Sequence, residues 1–428
     1  MTPLTAARAQ MEVSLGFHMI FAALGIGLPV LLLIAEAMWL RTKQQHYYEL
    51  ARTWSKATAL TFAVGAVSGT ALSFELGLLW PKFMEVAGPS VGSAFTLEGY
   101  AFFIEAIFIG LYLYGWNRLT PFQHWLTGIP IALSGLASGI LVVAANAWMQ
   151  SPPATTAADP LAPFKSPAWF HMSLHSSLSC YVATGFAAAG VYAVGMLRGR
   201  HDAYHRAALT IAMAVAIPAA LLQPLSGDVS ARATARLQPA KLAASEALFE
   251  TQRGAPLLIG GIPELERQDV RFGIEIPRAL SFLAHHDINA EVKGLDAFPR
   301  SDWPNVMVAH MAFQIMVGCG TWLAAVALLY LILRKRQHDT DRWFLRLLAI
   351  SAPLGFLALE AGWVVTEVGR QPWIIYGRMR TSEAVTTASN VGFTFALFCV
   401  LYLALGTALV YLLRHLAHAR RTEVIHVG

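Results

Sequence analysis

Charge is what this sequence lacks. Only 13% of its 428 residues are Asp, Glu, Lys or Arg, against roughly 25% in soluble domains. With 56% hydrophobic residues and a mean hydropathy of +0.51, the chain could not keep its surface in water, and a bilayer location is expected. Cysteine is scarce too. Cys180, Cys319 and Cys399 each fall inside apolar stretches, and none forms CxxC or CxxCH. A disulfide framework, a zinc site and covalent c-type haem attachment therefore have no support. The N-terminus has neither a basic n-region nor a small-residue cleavage site, so a cleavable signal peptide is not expected. A formal charge of +5 would suggest nucleic acid only in a soluble protein. Here it reflects Lys and Arg on cytoplasmic loops, and no nucleic-acid partner is expected.

What the chain does have is long apolar runs. A spanning helix needs about 20 mostly apolar residues. Nine are predicted, at roughly 12–40, 54–80, 94–116, 123–148, 169–197, 206–225, 304–333, 343–366 and 390–413. The fold class is thus all-α, a polytopic membrane helical bundle. The expected division is 1–225 for six helices, 226–303 for one long polar loop, and 304–428 for three helices and a tail. Loop charge sets the orientation. With the N-terminus outside, inner segments hold Arg41, Lys43, Arg52 and Lys56, then Arg118, then Arg198, Arg200 and Arg206. They continue with Arg334, Lys335, Arg336, Arg342 and Arg346, and end with Arg414, Arg420 and Arg421. The short outer segments before the eighth helix hold only Arg8, Lys82 and Lys165. This positive-inside bias puts the long loop outside and the C-terminus in the cytoplasm. Arg370, Arg378 and Arg380 break the pattern on the outer side, where an anionic cofactor group would explain them.

Ionisable residues inside spans are costly and mark functional sites by default. They are His18 and Glu36 in the first helix, Glu75 in the second, Glu98 and Glu105 in the third, His171 and His175 in the fifth, His310 in the seventh, and Glu360 with Glu367 in the eighth. Given the orientation, His18, Glu98, His171, His175, His310 and Glu367 share the outer depth. Haem needs such axial ligands and cations for its propionates. Plainer readings stand beside these. His310 is expected simply to be hydrogen-bonded to a neighbouring helix. Met316 reads as core packing, and Glu36 lies where it can reach the headgroups. Either His171 or His175, four apart on one face, could be the ligand. Glu98 and Glu105, seven apart, stack on one face and suggest a proton path or a metal ligand.

The stretch Glu367-Val-Gly-Arg370-Gln-Pro-Trp373, followed by Gly377-Arg-Met-Arg380-Thr, resembles the GRQPW signature of cytochrome bd oxidase subunit I. Further segments are similar to the same family: Gly16-Phe-His18 with Leu24-Gly-Ile-Gly27, Glu98-Gly-Tyr-Ala-Phe-Phe-Ile-Glu105, His175-Ser-Ser-Leu-Ser-Cys-Tyr181 and Phe313-Gln-Ile-Met316-Val-Gly318. In the outer loop, Gly227-Asp228 and Gln238-Pro-Ala-Lys241-Leu-Ala-Ala-Ser-Glu246 resemble the quinol-binding loop.

The resemblance implies a quinol:oxygen oxidoreductase of the bacterial cytoplasmic membrane. It implies a low-spin haem b held by His175 and Met316, in preference to His171. It implies two high-spin haems, one of type b and a third of type d or b, ligated by His18 and Glu367. Glu98 becomes a further ligand or proton donor and Glu105 its relay, with Trp363 and Arg370 beside the haems. Arg8, Gln314, Arg370, Trp373 and Arg380 form the implied cofactor-contacting set, and Lys241, Glu246 and Asp228 the implied quinol site. The implied partners are quinol, dioxygen, a second subunit and a small single-helix subunit. Two departures stand out. Gln314 occupies a position where the family often has Arg, which should lower the low-spin haem's potential. Phe74-Glu-Leu-Gly-Leu-Leu-Trp80 differs from the FGTNW form and resembles the cyanide-insensitive branch, in which haem b can replace haem d. The outer loop is also short for the family. A proton-coupled transporter would need broken helices in paired halves, and none is evident. An electron-transfer cytochrome without oxygen chemistry would leave Glu98, Glu105 and Glu367 unexplained.

Overall fold

A computed structural model of the chain describes residues 2–154 and 159–427, with side chains as far as residue 416. The Arg420 and Arg421 side chains used in the charge argument lie outside the described set. Among the described residues, nine helical segments are long and apolar enough to cross a membrane. They are α1 (Pro3–Thr42), α2 (Gln45–Leu79), α3 (Pro81–Gly115), α4 (Pro121–Gln150), α5 (Trp169–Leu197), α6 (Ala203–Leu237), α9 (Val306–Lys335), the joined pair α10 (Arg342–Ser351) and α11 (Leu354–Val368), and α13 (Val391–Val427). Between α6 and α9 lie α7 (Pro239–Glu246) and α8 (Ala279–His285), and α12 (Thr381–Ala384) precedes α13.

The helix ends follow local chemistry. Thr2, Asp202 and Asn305 cap α1, α6 and α9 by accepting a backbone N–H with the side chain, which satisfies a donor the helix leaves open. Pro3, Pro81 and Pro239 open α1, α3 and α7, where a missing N–H costs nothing. Several helices outrun the apolar windows. The second begins at Gln45 rather than 54, and the third at Pro81 rather than 94. Hydropathy locates the part of a helix in hydrocarbon, whereas the backbone hydrogen bonds continue into the headgroups. The sixth differs most. It runs to Leu237, so residues 226–237 are helical and not loop. The stretch Ser-Ala-Arg-Ala-Thr-Ala-Arg is polar but rich in good helix formers. In the eighth span the helix breaks at Ala352–Pro353, since Pro353 cannot donate to the preceding turn.

Two compact units emerge. One comprises residues 1–85, 101–135 and 385–428, the other 86–100 and 136–384. In the first, α1 and α2 pack together, and α13 lies on α1 with Phe17 stacked on Tyr402 at 4.7 Å between ring centroids. In the second, a core of Phe186, Met196, Leu209, Met213, Leu323, Tyr330, Phe344 and Leu348 joins α5, α6, α9 and α10. Small residues allow this closeness, as in other membrane bundles. A Cβ added at Gly185 would lie 2.7 Å from Ala216 Cβ, and one at Gly355 would lie 2.6 Å from Ala183 Cα.

The segment after α7 is a set of nested antiparallel ladders. Strand β1 (Gln252–Arg253) pairs with β6 (Glu291–Val292), β2 (Leu257–Ile259) with β5 (Ile274–Ile276), and β3 (Ile262–Glu264) with β4 (Asp269–Arg271). A last hairpin, β7 (Trp373–Ile375) with β8 (Met379–Arg380), carries the arginine-rich signature. Gly377 at its turn has φ of +68°, a conformation that suits glycine.

The Gly355 contact is with backbone, which cannot yield as a side-chain tip can. Gly355→Ala should therefore cost about 1–3 kcal/mol through overpacking and lower the thermal midpoint in detergent. Gly320→Ala, with nothing within 4 Å of its Cβ, should be neutral or slightly stabilising. Equal midpoints for both variants would refute the close α5–α11 contact.

Candidate functional site

Two histidines are held in the same way. On α5, His175 Nδ1 lies 2.9 Å from Ser226 Oγ on α6. That hydroxyl donates its one proton to the Gln223 carbonyl at 2.8 Å. A hydroxyl that gives its proton to that carbonyl accepts from the ring, and His175 Nδ1 then carries the proton. Nε2 is left with its lone pair, facing the Gln223 amide Nε2 at 3.2 Å. On α1, His18 Nδ1 lies 2.9 Å from Ser68 Oγ on α2, and Ser68 donates to the carbonyls of Val64 and Gly65. The same tautomer results. A glycine stands by each ring: a Cβ at Gly69 would lie 2.9 Å from His18 Cε1, and one at Gly227 would lie 3.7 Å from His175 Cε1. His171, one turn from His175, reaches Ser230 through Nδ1 at 3.2 Å, and its Nε2 is buried without a hydrogen-bond partner. Of the pair, His171 thus has a bare Nε2, whereas the His175 Nε2 meets the Gln223 amide.

Met316, half-buried on α9, has its sulfur 3.0 Å from where a Cβ at Gly362 would sit on α11. One residue on, the Trp363 indole Nε1 is buried and has no acceptor. Further along α11, the Glu367 carboxylate receives two donors, Asn146 Nδ2 at 2.7 Å and the Arg370 guanidinium. Arg370 is buried, also donates to the Ile374 carbonyl, and leaves its Nε without a partner. Behind Asn146, Gln150 on the same face of α4 accepts from Lys241 Nζ at 2.5 Å. Sequence reasoning missed Asn146, Gln150, Ser68, Ser226 and Gln223. Their signal was available as uncharged polar residues inside otherwise apolar spans, but such residues are too common there to single out.

The segment between α6 and α9 packs on α9 within the second unit. Lys241 and Glu246, on α7, are both buried. Burial pushes the Lys241 ammonium down to about 7, aided by the Arg370 charge and opposed by Glu367. Burial raises the Glu246 carboxyl to about 8, and neither of its oxygens has a hydrogen-bond partner. Asp228 lies on α6 instead of in a loop. It accepts from Arg232 at 2.7 Å and faces His286 at 3.3 Å. His310 is hydrogen-bonded, as expected of an ordinary intramembrane His. Its partners, however, are outer-segment carbonyls, Ser245 at 2.8 Å and Gly260 at 3.1 Å, and not a neighbouring helix. Gln314 accepts from the Gly260 N–H at 2.9 Å and donates to the Leu258 carbonyl at 3.0 Å. Its amide therefore tethers β2 to α9. Arg380 pairs with Asp302 and lies 4.7 Å over the Trp373 ring.

On α3, Glu98 accepts from Ser138 at 2.9 Å in the second unit. Glu105, two turns along, is buried in the first, with Oε1 3.4 Å from a Cβ built at Gly135. Glu36 does not reach the headgroups. It is fully buried, accepting from Tyr112 and paired with His124 Nδ1 at 2.6 Å. Satisfying the carboxylate internally replaces the water it would otherwise need. Glu75 accepts from Gln10 and Ser14, both at 2.9 Å. Arg8 is half-buried with no ion-pair partner among the described residues.

Do these residues fit a haem? Among the described residues no three His, Cys, Asp or Glu converge as a bare metal ion would require. Single side chains of ligand type, each beside a glycine, are what a porphyrin leaves for the protein to supply. An unpartnered indole N–H, a free Arg370 Nε and the uncompensated Arg8 are donors of the kind propionates take up. The fit is good.

Helices of this length with isolated, serine-anchored axial-ligand candidates define a class, the membrane-embedded haem proteins. The family description "Cytochrome bd terminal oxidase subunit I" matches residues 6–421, and the chain belongs to that family, whose members oxidise quinol and reduce oxygen. It is 38% identical to the putative cytochrome bd menaquinol oxidase subunit I of Bacillus subtilis (strain 168), covering 96% of each chain. It is 28% identical to the cytochrome bd-II ubiquinol oxidase subunit 1 of Escherichia coli (strain K12), covering 96% of this chain and 95% of that one. A solved structure of bd oxidase from Geobacillus thermodenitrificans superposes with a TM-score of 0.92 at 37% identity, over 97% of this chain and 98% of that one. The chain is thus a haem-binding subunit of a bacterial inner-membrane quinol oxidase that works with a partner subunit.

Glu246 yields a pH test. Its folded pKa, about 8, lies above the ordinary 4.5, so the folded state holds a proton that the unfolded state releases. Its contribution to stability is full below pH 4.5 and is lost as pH rises to about 8. Glu246→Gln removes this slope. The thermal midpoint of the variant should match wild type near pH 5 and exceed it by several degrees near pH 8. Parallel curves would mean that Glu246 does not hold its proton in the fold.

Proposed function

We propose that this subunit oxidises quinol on the outer side at α7 and the adjoining end of α6, and reduces dioxygen at haems held by α1, α5, α9 and α11. The observation that carries the reading is the matched serine anchor at His18 and His175. Each presents an unprotonated Nε2 beside a glycine. His175 and Met316 would hold a low-spin haem b, and His18 and Glu367 two high-spin haems, one b and the other d or b. When bound, these groups supply one-electron transfer and an open iron position for oxygen.

The chain's own residues do the rest. Lys241 and Glu246 contact the quinol, with Glu246 accepting a proton from its hydroxyl and Asp228 nearby on α6. The raised pKa of Glu246 suits a group that must take a proton and later release it outside. Ser68 and Ser226 fix the imidazole tautomers. Arg8, Arg370 and Arg380 supply positive charge near propionates, with Trp363 and Trp373 beside the rings. Gln314 supplies no charge there, which favours a lower low-spin potential. Glu105 passes protons to Glu98, two turns along α3. Loop charge supports the N-terminus and the outer segment lying outside and the C-terminus in the cytoplasm. The apolar outer faces of the helices suit lipid, a second subunit and a small single-helix subunit.

A reduced-minus-oxidised visible spectrum of the purified oxidase should show low-spin bands together with high-spin bands that shift with carbon monoxide. Low-spin bands alone would leave only an electron carrier, and no haem bands would leave a transporter. Met316→Leu should open the low-spin haem and move its bands, and an unaltered spectrum would remove Met316 as a ligand. Glu105→Ala should slow oxygen reduction by 10-fold or more, as loss of a proton-transfer group does, with the low-spin spectrum intact. Unchanged turnover would exclude Glu105 from the relay.

A further inference from the structure

Two buried amides at the end of α4 join the quinol-contacting lysine to the Glu367 carboxylate. Asn146 and Gln150 are four residues apart, on one face, and 9% and 2% exposed. Amides in such a place are costly unless bonded, and these are bonded in one continuous chain. Gln150 Oε1 accepts from Lys241 Nζ at 2.5 Å. Gln150 Nε2 donates to Asn146 Oδ1 at 3.3 Å and to the Thr366 carbonyl at 3.1 Å. Asn146 Nδ2 donates to Glu367 Oε1 at 2.7 Å. Gln238, beside α7, also donates to the Gln150 carbonyl at 2.9 Å.

The direction of this chain is forced. The Thr366 carbonyl only accepts, so Gln150 turns its NH2 toward α11 and its oxygen toward Lys241. Its NH2 then faces Asn146 Oδ1, and the NH2 of Asn146 faces the carboxylate. Gln150 and Glu367 thereby agree on which end of Asn146 meets the carboxylate. We propose that Asn146 and Gln150 are positioning residues that orient Lys241 for quinol and Glu367 for its iron at the same time. The proposal rests on the reading of Lys241 as a quinol contact and Glu367 as a haem ligand. An N–H donated to an anionic ligand weakens its electron donation, so the Asn146 bond raises the potential of the attached iron.

Three variants separate the two ends of the bridge. Asn146→Leu should lower the midpoint potential of the high-spin haem in a spectroelectrochemical titration, leaving the quinol KM and the low-spin bands as in wild type. Gln150→Leu strands Lys241 and frees Asn146, so it should raise the quinol KM roughly 10-fold and lower the high-spin potential as well. Gln150→Glu keeps an acceptor for Lys241 but loses the donor to Asn146. It should keep the wild-type KM while lowering the high-spin potential. If Asn146→Leu does not assemble, Asn146→Ser serves, with intact low-spin bands as the check on folding. Wild-type potentials in the Asn146 variants, or Gln150→Glu and Gln150→Leu behaving alike in KM, would overturn the bridge. Glu367→Ala distinguishes the underlying reading, since unchanged high-spin bands there would remove Glu367 as a ligand whatever the amides do.

Discussion

A polar side chain within a membrane span must find its hydrogen-bond partner inside the protein, because lipid offers none. That constraint organises both units. Glu36 lies between Tyr112 and His124, Glu75 accepts from Gln10 and Ser14, and Glu367 accepts from Asn146 and Arg370. Serine does the same for the histidines. A hydroxyl that spends its proton on a helix carbonyl accepts from the ring, which then keeps Nε2 unprotonated. What is left unbonded is informative for the same reason. The Glu246 oxygens, the Trp363 N–H and the Arg370 Nε are buried without partners, on α7, on α11 and in the loop just after α11.

The packing serves this arrangement. Glycine and alanine at the α5–α6 and α5–α11 contacts let backbones approach closely, as van der Waals contact between membrane helices requires. Glycine also stands beside His18, His175 and Met316. The segment between α6 and α9 is tied down by side chains of α9. His310 and Gln314 hold the backbone at Ser245, Leu258 and Gly260, so the helix bearing Met316 also holds the end of α7 and strand β2. That double duty gives Gln314 a role other than the propionate contact that its sequence position suggested.

Location in the membrane and the count of spans follow from sequence by itself. Hydropathy over some twenty residues measures the cost of a helix in water or in lipid, and that cost is local. The GRQPW stretch, with His18, His175, Met316 and the Glu98–Glu105 pair, likewise named the family without coordinates. Helix ends did not follow, because backbone bonding continues past the hydrocarbon edge, as in residues 226–237 of α6. The partners were decided by tertiary structure alone. Asn146 meets Glu367, Gln150 meets Lys241, and Glu36 turns inward to His124 because distant segments of chain come together, and no local property of a sequence encodes which buried donor faces which acceptor.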